Sequence, residues 1–270
     1  MTIDSADGTV VVTAEEGEGP TILIVHGGMS DESPWAAVAA ELARDFHVVR
    51  IRRRLYRLEL PSDPATDFAR EVEDLAAVTT SFRTPCVIVG HSSGAIVALE
   101  SLVAQPEAYA GAVLYEPPIV LDGPLGNSTT LPRARAALAK GKVGTALRIF
   151  MNEAVQISPV LAFVVGVATR FNADLKSFAP RQIDDMDAID RLGRRIEAYA
   201  AIETPTLFLS GTKSPAHLGE RTRAVAAAMP HPTITTMPGQ GHGAHTADPA
   251  LVARLIGEQA HQVGLGAPSA

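Results

Sequence analysis

A single cysteine, Cys86, stands among the 270 residues. It excludes an intramolecular disulfide and any cysteine-rich zinc or iron–sulfur centre. Basic residues are in deficit: 23 Lys+Arg against 30 Asp+Glu give 23 − 30 = −7. Nonspecific nucleic-acid binding needs a basic excess to displace counterions, so no nucleic-acid partner is expected. Long apolar stretches are missing as well. The longest spans residues 160–168 and is interrupted by Gly166, well short of the ~20 residues a membrane helix needs. The first seven residues are neither basic nor apolar, so no signal peptide is evident, and the chain reads as soluble and cytoplasmic, with no membrane partner. No Walker loop, dinucleotide fingerprint or metal cluster occurs, so neither cofactor nor metal is expected. The composition, 46% hydrophobic, 20% charged and only 5% aromatic, excludes disorder and a collagen-like chain. There is no internal repeat, and the Gly/Ala/Pro/Ser stretch 264–270 is expected to be a flexible tail.

What is present is an alternation of short apolar runs with amphipathic segments. Residues 10–12 and 21–25 are β-branched runs joined by a Gly-rich turn, which predicts a hairpin entering a sheet. A helix is expected over 34–44 with Ser33 as N-cap, then a strand at 46–51, a helix at 63–81 and a strand at 85–89. A helix at 94–104 and a strand at 111–115 follow. The alternation then lapses for about eighty residues, where 133–139, 143–155 and 187–199 read as helices. It resumes with strands at 205–209 and 233–237 and helices at 216–228 and 249–262. The fold class is therefore α/β: a mostly parallel sheet with helices on both faces and an inserted helical cap. The core comprises 1–118 and 200–263, and the cap 119–199. In such sheets ligands bind beyond the carboxyl ends of the strands, so the residues just after each strand carry the most weight.

Three strand ends carry a matched set. Gly90-His91-Ser92-Ser93-Gly94 follows a strand and opens a helix, and fits G-x-S-x-G. Small residues flank the serine because the backbone must turn sharply to raise its hydroxyl above the sheet. His26-Gly27-Gly28-Met29 follows the strand ending at Val25; the amides of Gly28 or Met29, with that of Ser93, are candidates for an oxyanion hole. His26 itself is read as a structural hydrogen-bonding residue. Gly239-Gln240-Gly241-His242-Gly243 follows the last strand, and His242 comes after the serine in the chain order of a nucleophile–acid–histidine triad. His245, three residues on, is the less favoured candidate for the base, and Asp248 before Pro249 reads as a helix N-cap.

On these residues the chain resembles the α/β-hydrolase superfamily from about Val10 to Gln262, and the inserted helices resemble that superfamily's cap. The resemblance implies a serine nucleophile at Ser92 and excludes the haloalkane dehalogenases and epoxide hydrolases, which use aspartate there. Two departures stand out. Where many relatives carry an acid in a Gly-x-x-Asp-x-Pro segment, this chain has Gly211-Thr212-Lys213-Ser214-Pro215, with serine at the acid's place. The best replacement is Glu116, just after the strand at 111–115; the competing role for it is a structural pair with an arginine or a substrate contact. Where many relatives have Arg-Gly-x-Gly, this chain has Arg52-Arg53-Arg54-Leu55-Tyr56-Arg57, read as a solvated or acid-paired run with anion recognition as the alternative. Asp122, Asp184, Asp185 and Asp187 in the insertion are expected to be solvated, and Cys86 to be buried core.

The expectation is thus a serine hydrolase cleaving a small apolar or amphipathic ester-like substrate, with Ser92 as nucleophile, His242 as base and Glu116 as supporting acid. Cap residues Leu147, Phe150, Val155, Leu161, Phe163 and Phe171 would supply an apolar wall or, equally, the cap's own internal core. The alternatives are a non-hydrolytic member of the superfamily (a lyase, cyclase or carbon–carbon bond cleaving enzyme) and a non-catalytic ligand-binding member. No oligomer is specified by these patterns.

Overall fold

The computed structural model describes residues 3–63 and 67–265. Its strands are β1 (Ile3–Asp4), β2 (Val10–Val11), β3 (Thr13–Glu16), β4 (Thr21–Val25), β5 (His47–Ile51), β6 (Cys86–His91), β7 (Tyr109–Tyr115), β8 (Thr206–Gly211) and β9 (Pro232–Met237). The helices are α1 (Ala36–Leu42), α2 (Asp67–Thr80), α3 (Ser93–Ala104), α4 (Thr130–Ala139), α5 (Val143–Ile149), α6 (Pro159–Ala168), α7 (Ala173–Leu192), α8 (Ile196–Tyr199), α9 (Ala216–Ala228), α10 (Ala244–Ala247) and α11 (Pro249–Gln262).

Seven strands form one sheet in the order β3-β5-β4-β6-β7-β8-β9. All neighbours are parallel except β3, which runs antiparallel to β5. Successive side chains of a strand point to opposite faces, and β4 shows the consequence. Leu23 and Val25 join one core with Leu75 of α2, Leu99 of α3 and Val225 of α9. Ile22 and Ile24 join another with Val38 of α1 and Ile256 of α11. A strand buried on both faces needs the near-continuous apolar sequence seen in β4 and β6. The chain leaves β4 for β5 on one side and returns to β6 on the other. The loops after β4 and β6 therefore sit at a topological switch point, where open α/β sheets bind their ligands.

Several local expectations are corrected. The hairpin does not form: β2 pairs with β1, and β3 pairs with β5 rather than β4, because the buried β4 takes two parallel partners. Ser33 is not a cap. It opens a short 3₁₀ turn before α1, and its N–H and hydroxyl donate to Asp31 Oδ1 at 3.0 and 2.6 Å. The expected helix at 63–81 is α2, while 64–66 lie outside the described residues. In the tail, Gly264 and Leu265 are tied back to the end of α11 by bonds of 3.0 Å to the His261 carbonyl and 2.9 Å to that of Ala260; 266–270 lie outside the described residues.

Between β7 and β8 the elements are all helical, α4 to α8. Two of them differ from expectation. The 160–168 run is helix α6, capped by the Ser158 hydroxyl, and a long α7 runs through Pro180, well before residue 187. After α5 the chain widens into a π-turn at Phe150–Ala154 whose inner side faces the sheet's carboxyl end.

Candidate active site

Ser92 lies between β6 and α3 at φ 52°, ψ −127°, a region that non-glycine residues rarely enter. The surroundings enforce it. Ser92 N–H donates to the Tyr115 carbonyl at 2.9 Å, and its own carbonyl accepts from Ala95 N–H at 2.9 Å. Gly94 is obligatory here, since a Cβ would run into the main chain of Val25 and His26. The sharp strand-to-helix turn raises the serine above the sheet at the N-terminus of α3, where backbone N–H groups lack intrahelical partners.

His242 stands in the loop after β9, and its Nδ1 lies 2.6 Å from Glu116 Oε2. Glu116 is the first residue after β7, is fully buried and is held at φ 47°. Its other oxygen accepts from Gly211 N–H at 2.8 Å and from the Ser210 hydroxyl at 3.3 Å. Burial works to raise this carboxyl's pKa. The hydrogen bond and charge of His242, with the Ser214 hydroxyl and the Gly211 N–H, outweigh burial and hold it below the ordinary glutamate value. The loop that carries His242 is braced from below. His91 Nε2 donates to the His242 carbonyl at 2.9 Å, while the Tyr115 hydroxyl donates to the Gly241 carbonyl and accepts from Ala244 N–H at 3.2 Å. Burial, reinforced by the charges of His242 and His245, keeps the His91 pKa far below its usual value, so this brace is a neutral donor.

Ser92 and His242 line one cavity of about 200 Å³. No hydrogen bond links their side chains in this conformation, which is common for an unliganded site that tightens around substrate. Gly28, Met29 and Ser93 line the same cavity, and Met29 has φ 61°. The opposite wall is apolar: Phe150, Met151 and Val155 from the π-turn and its exit, Met186 and Ile189 from α7, and Leu218 from α9. Gln182 and His217 are the polar side chains that join the motif residues there, and among the described residues no Lys, Arg, Asp or Glu lines the cavity.

Of the cap residues expected to form the apolar wall, Phe150 and Val155 do so. Leu147 is buried inside the cap, whereas Leu161, Phe163 and Phe171 point to solvent, Phe171 being 86% exposed. The face of α6 that meets α5 is its small-residue side, with Gly166 against Gly144, which turns the larger side chains outward.

The arginine run is fully engaged. Arg52 forms a two-pronged pair with Glu32 at 2.6 and 2.7 Å, Arg54 pairs with Asp74 and Asp7, and Arg57 pairs with Glu59. Arg53 is only 1% exposed and pairs with Glu71 at 2.8 Å and Asp185 at 2.9 Å. The expectation that Asp185 and Asp187 are solvated is therefore corrected: Asp185 is fully buried, and Asp187 pairs with Arg135 and Arg191. His26 is structural, as expected: its Nε2 accepts from Arg53 N–H at 3.0 Å and its Nδ1 donates to the Gly27 carbonyl at 2.7 Å. His245 stacks on Trp35 with ring centroids 4.8 Å apart and stays outside the cavity. Asp248 caps α11 through Leu251 N–H at 3.2 Å, and Cys86 is buried core. Sequence reasoning missed Gln182, Met186 and Ile189, although their spacing marks one face of a helix.

A family model described as "Alpha/beta hydrolase family" matches residues 22–255. A Bacillus subtilis protein named as an uncharacterized hydrolase, YraK, is 34% identical over 113 residues, which make up 37% of this chain and 38% of that protein. A Haemophilus influenzae protein provisionally named an esterase/lipase is 23% identical over 88% of this chain and 82% of its own. The solved structure of an alpha/beta hydrolase from Sphaerobacter thermophilus superposes with a TM-score of 0.81 at 28% identity, covering 96% of this chain and 99% of its own.

Proposed function

The chain belongs to the alpha/beta hydrolase family, and from that premise we propose that this enzyme is a serine esterase for small, uncharged acyl esters, working through an acyl-enzyme on Ser92. The single observation that carries the reading is the 2.6 Å contact of Glu116 with His242 Nδ1, on a histidine that shares its cavity with the strained serine. A carboxylate accepting from Nδ1–H fixes the tautomer, which leaves Nε2 free to act as a base.

The steps follow from that arrangement. Ser92 Oγ bonds to the substrate carbonyl carbon as its proton passes to His242 Nε2, and the carbonyl electron pair moves onto oxygen. The oxyanion is held by the N–H of Ser93 with that of Gly28 or Met29, donors fixed before the charge develops. Collapse of this intermediate breaks the ester C–O bond, and the leaving alkoxide takes the proton from His242. Water then repeats the sequence on the acyl-enzyme and releases the acid. Glu116 remains ionised throughout and stabilises the imidazolium.

The walls set the substrate class. With no Lys, Arg, Asp or Glu lining the cavity among the described residues, a charged acyl group would enter without an ionic partner, at a cost of several kcal/mol. The lyase, cyclase and carbon–carbon cleavage alternatives drew their motive from the missing acid at Ser214, and Glu116 supplies that acid from the neighbouring strand. The test pairs a fluorophosphonate probe with p-nitrophenyl acetate and butyrate turnover. The expected result is one adduct on the peptide bearing Ser92 and turnover abolished by Ser92→Ala. Labelling without ester turnover would move the assignment to a non-hydrolytic reaction, and an inert Ser92 would leave a binding protein.

A further inference from the structure

We infer that Arg53 is a positioning residue: with Asp185 it ties the cap to both halves of the proposed oxyanion hole, so that docking of the cap sets the geometry of the hole. The inference rests on the esterase reading above. Its basis is a continuous buried network. Arg53 Nη1 donates to the Ser93 hydroxyl at 2.7 Å, on the residue whose N–H forms one half of the hole. The backbone N–H of Arg53 donates to His26, and His26 in turn holds the Gly27 carbonyl in the loop that provides the other half.

The same guanidinium reaches the cap. Nη2 and Nη1 donate to Asp185 Oδ1 at 2.9 Å and Oδ2 at 3.2 Å, a two-pronged contact to α7 across 132 positions of sequence. Nε and Nη2 donate to Glu71 Oε2 of α2 at 3.2 and 2.8 Å, which anchors the hub to the core. The Tyr56 hydroxyl donates to Asp185 Oδ2 at 2.8 Å and lies 3.2 Å from Gln182 Oε1. Gln182 lines the cavity, and its amide oxygen packs so closely on Gly28 that a Cβ there would overlap it. The network therefore runs from the cavity wall, through the cap, to the residues that flank the reacting carbonyl.

Energetics argue for positioning over bulk stability. A buried ion pair rarely stabilises a fold more than packed apolar side chains would, yet the planar guanidinium fork fixes the direction of every bond it makes. A misplacement of about 1 Å near the chemistry can cost about a hundredfold in rate, so small tilts of Ser93 or Gly28 matter.

The test uses the full chain with p-nitrophenyl butyrate, with active sites counted by end-point titration with diethyl p-nitrophenyl phosphate. Dividing turnover by titrated sites removes any unfolded fraction from the comparison. For Asp185→Asn, kcat per site is expected to fall about tenfold or more with KM within about twofold. Ser93→Ala, a small change that spares the cap, should fall in the same direction by less, with KM again held. Unchanged kcat per site in both variants, or a loss carried wholly by KM, would overturn the inference and leave the network a structural brace. Turnover surviving in Ser92→Ala is a separate outcome: it removes the acyl-enzyme reading itself, and the inference with it.

Discussion

Glu116 and Glu71 are both buried carboxylates, one beside an imidazole and one beside a guanidinium, and burial ends differently for each. Glu116 has His242, the Gly211 N–H and two serine hydroxyls nearby, with no competing carboxylate, and its pKa is held down. Glu71 shares Arg53 with Asp185. Burial, joined by the Asp185 charge, outweighs the arginine and pushes its pKa up to about 7. Desolvation opposes charge at both places, and the ratio of donors to carboxylates decides the outcome. The first arrangement keeps an ionised acid behind a base; the second holds a joint between two parts of the fold.

The largest effect is expected at Glu116 and His242. Glu116→Gln should lower kcat by about 10² to 10⁴, because an amide stabilises the imidazolium poorly and can present the wrong tautomer. Ser214→Asp placed in that background should return part of the activity, because Ser214 occupies the other strand end beside Glu116. No recovery in steady-state assays would mean that the β8 position cannot address His242.

A smaller effect separates the two carboxylates by pH. Glu71 has its folded pKa raised from 4.5 to about 7, so its contribution to stability is fully present below about pH 4.5 and is lost as pH rises through 7. The loss amounts to up to about 3 kcal/mol. Glu71→Gln should flatten that slope between pH 5 and 8 in urea unfolding curves, and an unchanged slope would assign it to other groups. At the cap, Phe150→Ala should raise KM for butyrate esters several-fold by enlarging the cavity. Phe171→Ser, at a solvent-exposed site, should change stability by less than about 0.5 kcal/mol and leave kinetics unaltered.

The fold, the serine elbow and the late histidine loop were legible because each is written locally. The elbow needs glycine where Gly94 meets the β4 main chain, and parallel strands buried on both faces need uninterrupted apolar runs. Glu116 was legible only by elimination, through the serine at 214. The cap was read poorly, for definite reasons. Pro180 lies in the interior of α7, where proline ordinarily removes a backbone hydrogen bond and breaks a helix, so residue type argues against the continuous helix that forms. Leu161 and Phe163 looked like wall residues because apolarity does not reveal which side of α6 meets Gly144, and Phe171 lies in the turn after that helix. Asp185 looked solvated because its partner, Arg53, lies 132 positions away.

The most direct measurement is the rate at which a fluorophosphonate labels Ser92, followed by peptide mass spectrometry in the wild type and in Glu116→Gln. A single adduct on Ser92 is expected, forming about a hundredfold more slowly in the variant, because His242 activates the serine less well without its carboxylate. An adduct on another residue, or an equal rate in both proteins, would contradict that expectation.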